Sequence, residues 1–272
     1  MTGAAESRDK PDAAPLPAMR AADLLLDGQR IEAGWWGMPP EAAPSLVLLH
    51  EGLGSLRLWG GFPALLARTS GFGVFAFSRF GYGASDPVPL PRPLDFMERE
   101  ARDVLPRVLD AAGLRRCLLV GHSDGASIAA IAAGMQRDAR LAGLVLIAPH
   151  FFVEDVSIAA IAAARDAYAA GDLRARLAAH HADVEVAFRG WNDTWLDPAF
   201  RSWDITRYLP AIRVPALLIQ GEADPYGTVA HIRAAERLLS APVRTLLLPG
   251  IGHDPAREAR PAAVEAIASF AR

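Results

Sequence analysis

The sequence predicts an α/β fold, with a mostly parallel central sheet flanked by helices and a mostly helical insertion in its second half. Three observations carry this reading. Short apolar runs alternate with helical stretches from about residue 45 to 150, and again from about 212 to the end, as successive βαβ units do. Runs such as Ser45–Leu49 and Gly73–Phe77 are apolar without interruption, which marks strands buried on both faces. Between them, residues 151–211 offer helical and aromatic stretches but no convincing strand.

Each element follows in order. Residues 1–19 are rich in Ala, Pro and charge and read as a poorly ordered tail. Residues 23–26 and 30–33 form two short strand candidates, and Asp27-Gly28 between them reads as a hairpin turn. The strand at 45–49 runs into His50-Glu51-Gly52-Leu53-Gly54-Ser55, a loop by its glycines. A helix over 59–69 leads to the strand at 73–77 and a Gly- and Pro-rich loop. A helix over 95–112 stops at Gly113. Strand 117–120, a glycine turn, helix 126–136 and strand 144–147 complete the first half. The insertion begins with an Ala-rich helical stretch over 157–181, interrupted at Gly171, and then turns aromatic. Strand 216–219, helix 229–239, strand 244–248 and helix 261–270 resume the alternation. The core therefore spans 20–150 and 212–272. Because open α/β sheets bind ligands at the carboxyl ends of their strands, an insertion there would be a lid.

Composition narrows the function. A formal net charge of −3 over 272 residues gives no basic footprint for nucleic acid or for a charged membrane surface. No run of about eighteen apolar residues exists and no secretory leader is apparent, so the cytoplasm is the expected location. The lone Cys117 sits in an apolar run and reads as a small buried hydrophobe. The expected partner is a small molecule with an apolar acyl part. A second copy of the chain is the one protein partner left open.

The strongest chemical signal is Gly121-His122-Ser123-Asp124-Gly125. A G-x-S-x-G between a buried strand and a helix is a nucleophile elbow, in which the serine sits on a sharp turn and its neighbours two residues away must be tiny. The following helix points its N-terminus at the site and favours developing negative charge. A serine needs a base, oriented in turn by a third group. His253, in a glycine-rich loop after the last strand, is the candidate base. Asp224, directly after the penultimate strand, is the candidate acid, with Glu222, Glu154 and Asp155 as rivals. An oxyanion needs N–H donors. The backbone of Asp124 supplies one, and Gly52, with Leu53 as rival, the second. His50 reads as a brace for that loop. Glu51, Leu53, His122, Trp191 and Trp195 are the candidate substrate contacts. Adjacent His180 and His181 lack the carboxylates or thiols of a metal site and read as the end of a solvated helix. No metal or cofactor is called for.

Together these segments, with Arg79-Phe80-Gly81-Tyr82-Gly83-Ala84-Ser85-Asp86, resemble the α/β-hydrolase superfamily over residues 21–272. The resemblance implies a serine hydrolase with a helical cap over 151–211, acting on a small ester or thioester. It leaves open carbon–carbon hydrolysis, acyl transfer, cofactor-free oxygen chemistry and a non-catalytic ligand-binding role. Members with an aspartate nucleophile differ, since Asp124 falls one place too late. Two departures stand out. Phe80 replaces a glycine common in that segment. Glu51 follows His50 where many members have His-Gly. A glutamate there is strained if the position needs φ > 0; it could also aim its carboxylate at the site or face solvent.

Overall fold

The computed structural model describes residues 15–42, 44–135 and 138–272. Its main sheet contains eight of ten strands: β1 (Arg20–Ala21), β4 (Ala33–Trp36), β5 (Ser45–Leu49), β6 (Gly73–Phe77), β7 (Cys117–His122), β8 (Leu141–Ile147), β9 (Ala216–Gly221) and β10 (Val243–Leu248). Their spatial order is β1-β4-β6-β5-β7-β8-β9-β10. All pairings from β6 to β10 are parallel, while β4 runs antiparallel to both β1 and β6. The expected hairpin is present as a separate pair, β2 (Leu24–Leu26) and β3 (Gln29–Ile31). Its turn residues Asp27 and Gly28 have φ of 52° and 81°, the double positive φ that matches strand twist.

The parallel strands are where the apolar runs place them. The expectation at residues 30–33 joined two elements that the chain separates. β3 ends at Ile31, and Ala33 begins β4, which crosses to the main sheet. The run Ala33-Gly34-Trp35-Trp36 is short and contains a glycine, so its strand character was hidden. Of the expected tail, residues 1–14 lie outside the described residues; 15–19 lead without regular structure into β1.

Ten α-helices are described. Residues Leu46 and Leu48 point to one face of the sheet, with α1 (Phe62–Ser70) and α10 (Arg260–Ala271), beside the short α9 (Pro255–Glu258). Val47 and Leu49 point to the other, with α2 (Phe96–Arg99), α3 (Leu105–Ala111), α4 (Asp124–Met135) and α8 (Ala230–Leu238). The alternation is the two-residue period of a strand covered on both sides. A five-residue π segment, Glu100–Val104, joins α2 to α3. Pro106 follows it and cannot donate a hydrogen bond to the preceding turn. Cys117 is fully buried, and burial pushes its thiol up to about 12.

The segment between β8 and β9 holds α5 (Asp155–Ala170), α6 (Leu173–Ala178) and α7 (Val184–Trp195), broken at Gly171 as expected. Among its described residues the only β-pairing is an isolated bridge, Phe152 with Asp204. The Asp183 carboxylate caps α7 by accepting the N–H of Val186 at 3.0 Å. No helix among the described residues is long and apolar enough to cross a membrane.

Candidate active site

The elbow is built by crowding. Ser123 has φ of 53°, a region that costs a non-glycine residue about 1–3 kcal/mol unless its surroundings over-determine it. Here they do. Its N–H bonds to the Ile147 carbonyl at 2.9 Å, and its own carbonyl receives the N–H groups of Ala126 and Ser127 at 2.9 and 3.0 Å. A side chain at Gly121 would run into the backbone of Gly125 and Ala126, and one at Gly125 into the Leu49 carbonyl. Both glycines are therefore required by close approach. Asp124 opens α4, so its N–H is one of the first-turn donors that a helix leaves unpaired.

His253 and Asp224 come together because their loops interlock. The Ile251 carbonyl receives the N–H of Ala223 at 2.9 Å, and Leu248 that of Glu222 at 3.0 Å. His253 Nδ1 then lies 2.7 Å from Asp224 Oδ2. A carboxylate can only accept, so Nδ1 carries the proton and Nε2 is left as the acceptor. Asp224 is further held by Gln220 Nε2 at 2.9 Å and the Tyr226 N–H at 2.7 Å. Burial pushes the Asp224 carboxyl up, but the bond and charge of His253 outweigh it and leave the group below its ordinary value. The rivals are engaged elsewhere: Glu154 binds the Thr228 N–H and hydroxyl, and Asp155 pairs with Arg201. Glu222 is exposed.

Ser123 and His253 line one cavity of about 140 Å³. Its other walls include Glu51, Gly52, Leu53, Asp124, Trp191 and Trp195, all singled out in the sequence. Trp191 lies against Gly52 so closely that a side chain there would collide with the indole. His150, Ile161 and Tyr226 also line the cavity. Sequence reasoning passed over these three. Tyr226, two places after Asp224, and His150, just past β8, sit at strand carboxyl ends, the place where open α/β sheets bind ligands.

His50 braces its loop as expected. Nδ1 donates to the Glu51 carbonyl at 2.7 Å, and Nε2 accepts the Arg79 N–H at 3.0 Å. Arg79 Nη2 reaches the same carbonyl at 3.0 Å. Glu51 is not among the residues with positive φ, so it carries no backbone strain of that kind. Its side chain is 30% exposed, and its carboxylate lies 3.5 Å from Nδ1 of His122. His122 Nε2 lies 2.7 Å from the His253 carbonyl and must donate to it. Burial disfavours the His122 imidazolium; the Glu51 carboxylate more than compensates, and the ring is raised to about 9. Burial likewise works against the Glu51 anion, and His122 outweighs it, lowering Glu51 to about 2. His122 therefore joins the loop after β5, the elbow and the loop of His253, and does not line the cavity among the described residues.

His181 corrects the sequence reading. It is 5% exposed rather than solvated. Nδ1 accepts the Gly83 N–H and Nε2 donates to the Leu53 carbonyl, both at 3.0 Å. Its partners are backbone groups about a hundred residues away, invisible to any local pattern. Among the described residues, no group of three or more His, Cys, Asp or Glu side chains could hold a metal ion.

Comparison with known proteins gives the family. Residues 46–267 match the model of the alpha/beta hydrolase family. A putative carbamate hydrolase, RutD, of Caulobacter segnis is 32% identical over 123 residues, 45% of this chain and 43% of that protein. The human serine hydrolase BPHL is 29% identical over 160 residues, 57% of this chain and 54% of that protein. The chain thus aligns with about half the length of each. In three dimensions, proline iminopeptidase of Mycobacterium smegmatis superposes with a TM-score of 0.74 at 20% identity, over 93% of this chain and 97% of that one. That likeness speaks for the fold alone. With the family model spanning most of its length, this chain belongs to the alpha/beta hydrolase family.

Proposed function

We propose that the protein is a serine hydrolase of small carboxylic esters or thioesters, with Ser123 as nucleophile, His253 as base and Asp224 as the acid that orients it. The observation that carries the reading is Ser123 at positive φ on a strand-to-helix turn, sharing one cavity with a histidine whose Nδ1 is tied to a buried carboxylate.

In the proposed reaction His253 Nε2 takes the Ser123 proton as Oγ bonds to the substrate carbonyl carbon. The tetrahedral oxyanion is held by the N–H groups of Asp124 and Gly52. The bond to the leaving group breaks, and the leaving group departs with the proton from His253. Water then adds to the acyl-enzyme, giving its proton to His253. The Ser123–acyl bond breaks and Ser123 recovers a proton. Asp224 stays ionised and keeps His253 in the tautomer with Nε2 free. The pair Glu51–His122 carries no net charge while both are ionised, so it adds no full negative charge beside the oxyanion. Residues 151–211 act as a lid, and their aromatic residues Trp191 and Trp195 form the apolar wall for the acyl part. The substrate is a small molecule, and the expected setting is the cytoplasm.

A fluorophosphonate probe tests the assignment directly. Intact mass should show one adduct on the wild type, none on Ser123→Ala, and slow formation on His253→Ala. A folded wild type that takes no adduct would overturn it.

A further inference from the structure

The walls of the cavity are mostly apolar, yet one of its residues is a carboxylic acid that they do not satisfy. Asp124 is 0% exposed. Its Oδ1 accepts Trp195 Nε1 at 3.3 Å, and Oδ2 has no hydrogen-bond partner among the described residues. His150, 3% exposed, also lines the cavity and has an unpartnered Nδ1. The two residues meet at Trp195, whose indole bonds to Asp124 and lies edge-on to the His150 ring at 5.4 Å. A buried polar atom without a partner is costly, and the cost is removed when a ligand supplies one. An alanine or asparagine after Ser123 would offer the same backbone N–H, so the elbow does not explain the carboxyl.

Size and charge restrict what the ligand can be. A cavity of about 140 Å³ is close to the roughly 150 Å³ that holds one benzene ring. The indoles of Trp191 and Trp195 offer flat walls for such a ring. Arg79 and Arg92 offset part of the charge of Asp124, and a carboxylate on the ligand would meet the carboxylates of Asp124 and Glu51 in the cavity wall. A neutral hydroxyl avoids that repulsion. It donates and accepts, and so can pair with the acid in either protonation state and with the imidazole.

We infer, building on the serine-hydrolase reading, that the acyl pocket takes a single-ring acyl group carrying a hydroxyl, which is bound by Asp124 with His150 beside it. The site thereby selects its substrate by a polar contact inside an apolar pocket, the arrangement that best rejects an analogue lacking the hydroxyl.

Phenol and toluene are nearly equal in shape and test this without turnover. Their binding to the purified protein is read by ligand-observed NMR, with slowing of fluorophosphonate labelling placing each in the Ser123 cavity. Phenol should bind at least about 10-fold more tightly, a difference of about 1.4 kcal/mol, against the order that apolar burial alone predicts. Asp124→Leu and His150→Phe should each shift the preference toward toluene. Should Asp124→Leu fail to fold, the wild-type ratio and His150→Phe still decide. A labelled wild type that binds toluene as well as phenol overturns this inference and leaves the hydrolase intact. A folded wild type that takes no label overturns the hydrolase and the acyl pocket together.

Discussion

Two histidine–carboxylate pairs meet at the elbow, their rings 5.1 Å apart, and they differ in what is left over. In His253–Asp224 one ring nitrogen is bound and Nε2 remains available. In His122–Glu51 both nitrogens are committed, Nδ1 to the carboxylate and Nε2 to the His253 carbonyl. The first can pass a proton. The second can only hold a charge and a position. The same two residue types thus leave one pair with a free nitrogen and the other fully committed, and the distinction lies in one hydrogen bond rather than in composition.

The largest effect that separates the pairs is on turnover. His253→Ala should lower kcat for an aryl ester by about 10⁴-fold or more, and Asp224→Asn by a similar factor, since either change removes a correctly held base. His122→Gln should lower it by roughly 10²-fold, the scale of disturbing oxyanion stabilisation, because Glu51 is then left unpaired beside the site. Steady-state kinetics decides. Equal losses at His253 and His122 would erase the distinction.

A smaller effect sharpens it. If the charge of Glu51 is what harms the His122→Gln enzyme, Glu51→Gln with His122→Gln should be more active than His122→Gln alone. Additive losses in this double-mutant cycle would assign the pair a packing role only. The pair should also write itself into the pH dependence of stability. His122 rises from an ordinary 6.5 to about 9, and Glu51 falls from 4.5 to about 2. A raised base stabilises fully below its unfolded value and loses that contribution as pH rises through the folded one; a lowered acid does so above its unfolded value and loses it as pH falls. The contribution is complete between about 4.5 and 6.5 and fades toward 9 and toward 2. Because the Glu51 side chain is 30% exposed, wild type should exceed Glu51→Gln by about 1–2 kcal/mol near pH 6, between the surface and buried limits, and the gap in Tm should narrow by pH 9.5.

The smallest effect comes from a third pair. Glu154 lies 3.0 Å from Nε2 of the buried His231, and neither lines the cavity. Glu154→Gln should lower Tm while kcat stays within about threefold, as expected of a partner remote from the reacting atoms. A large loss of kcat would show that the third pair also works on the site.

What could be read from the sequence follows physical lines. The parallel strands were legible because burial on both faces leaves an unbroken apolar run, and the elbow because close backbone approach leaves glycines. The neighbours Asp224 and His253 were legible by their place after β9 and β10. The crossing strand β4 was not, since a four-residue strand with a glycine has no periodicity to show. Nor was the partner of Glu51. The choice between strain, solvent and the site depended on where His122 points, which is a tertiary fact. His150 was missed because one histidine after a strand looks like any other until the cavity is drawn around it.

The clamp made by His181 bears on how this scaffold could be re-engineered. One imidazole from the 151–211 segment fastens both the Leu53 carbonyl and the Gly83 N–H. The segment is therefore a keystone for two loops of the body and not a detachable hood. A graft that exchanges it for another helical segment to alter substrate choice must bring its own donor for Leu53 and acceptor for Gly83, or it will loosen the loop that carries Gly52 along with the wall it was meant to replace.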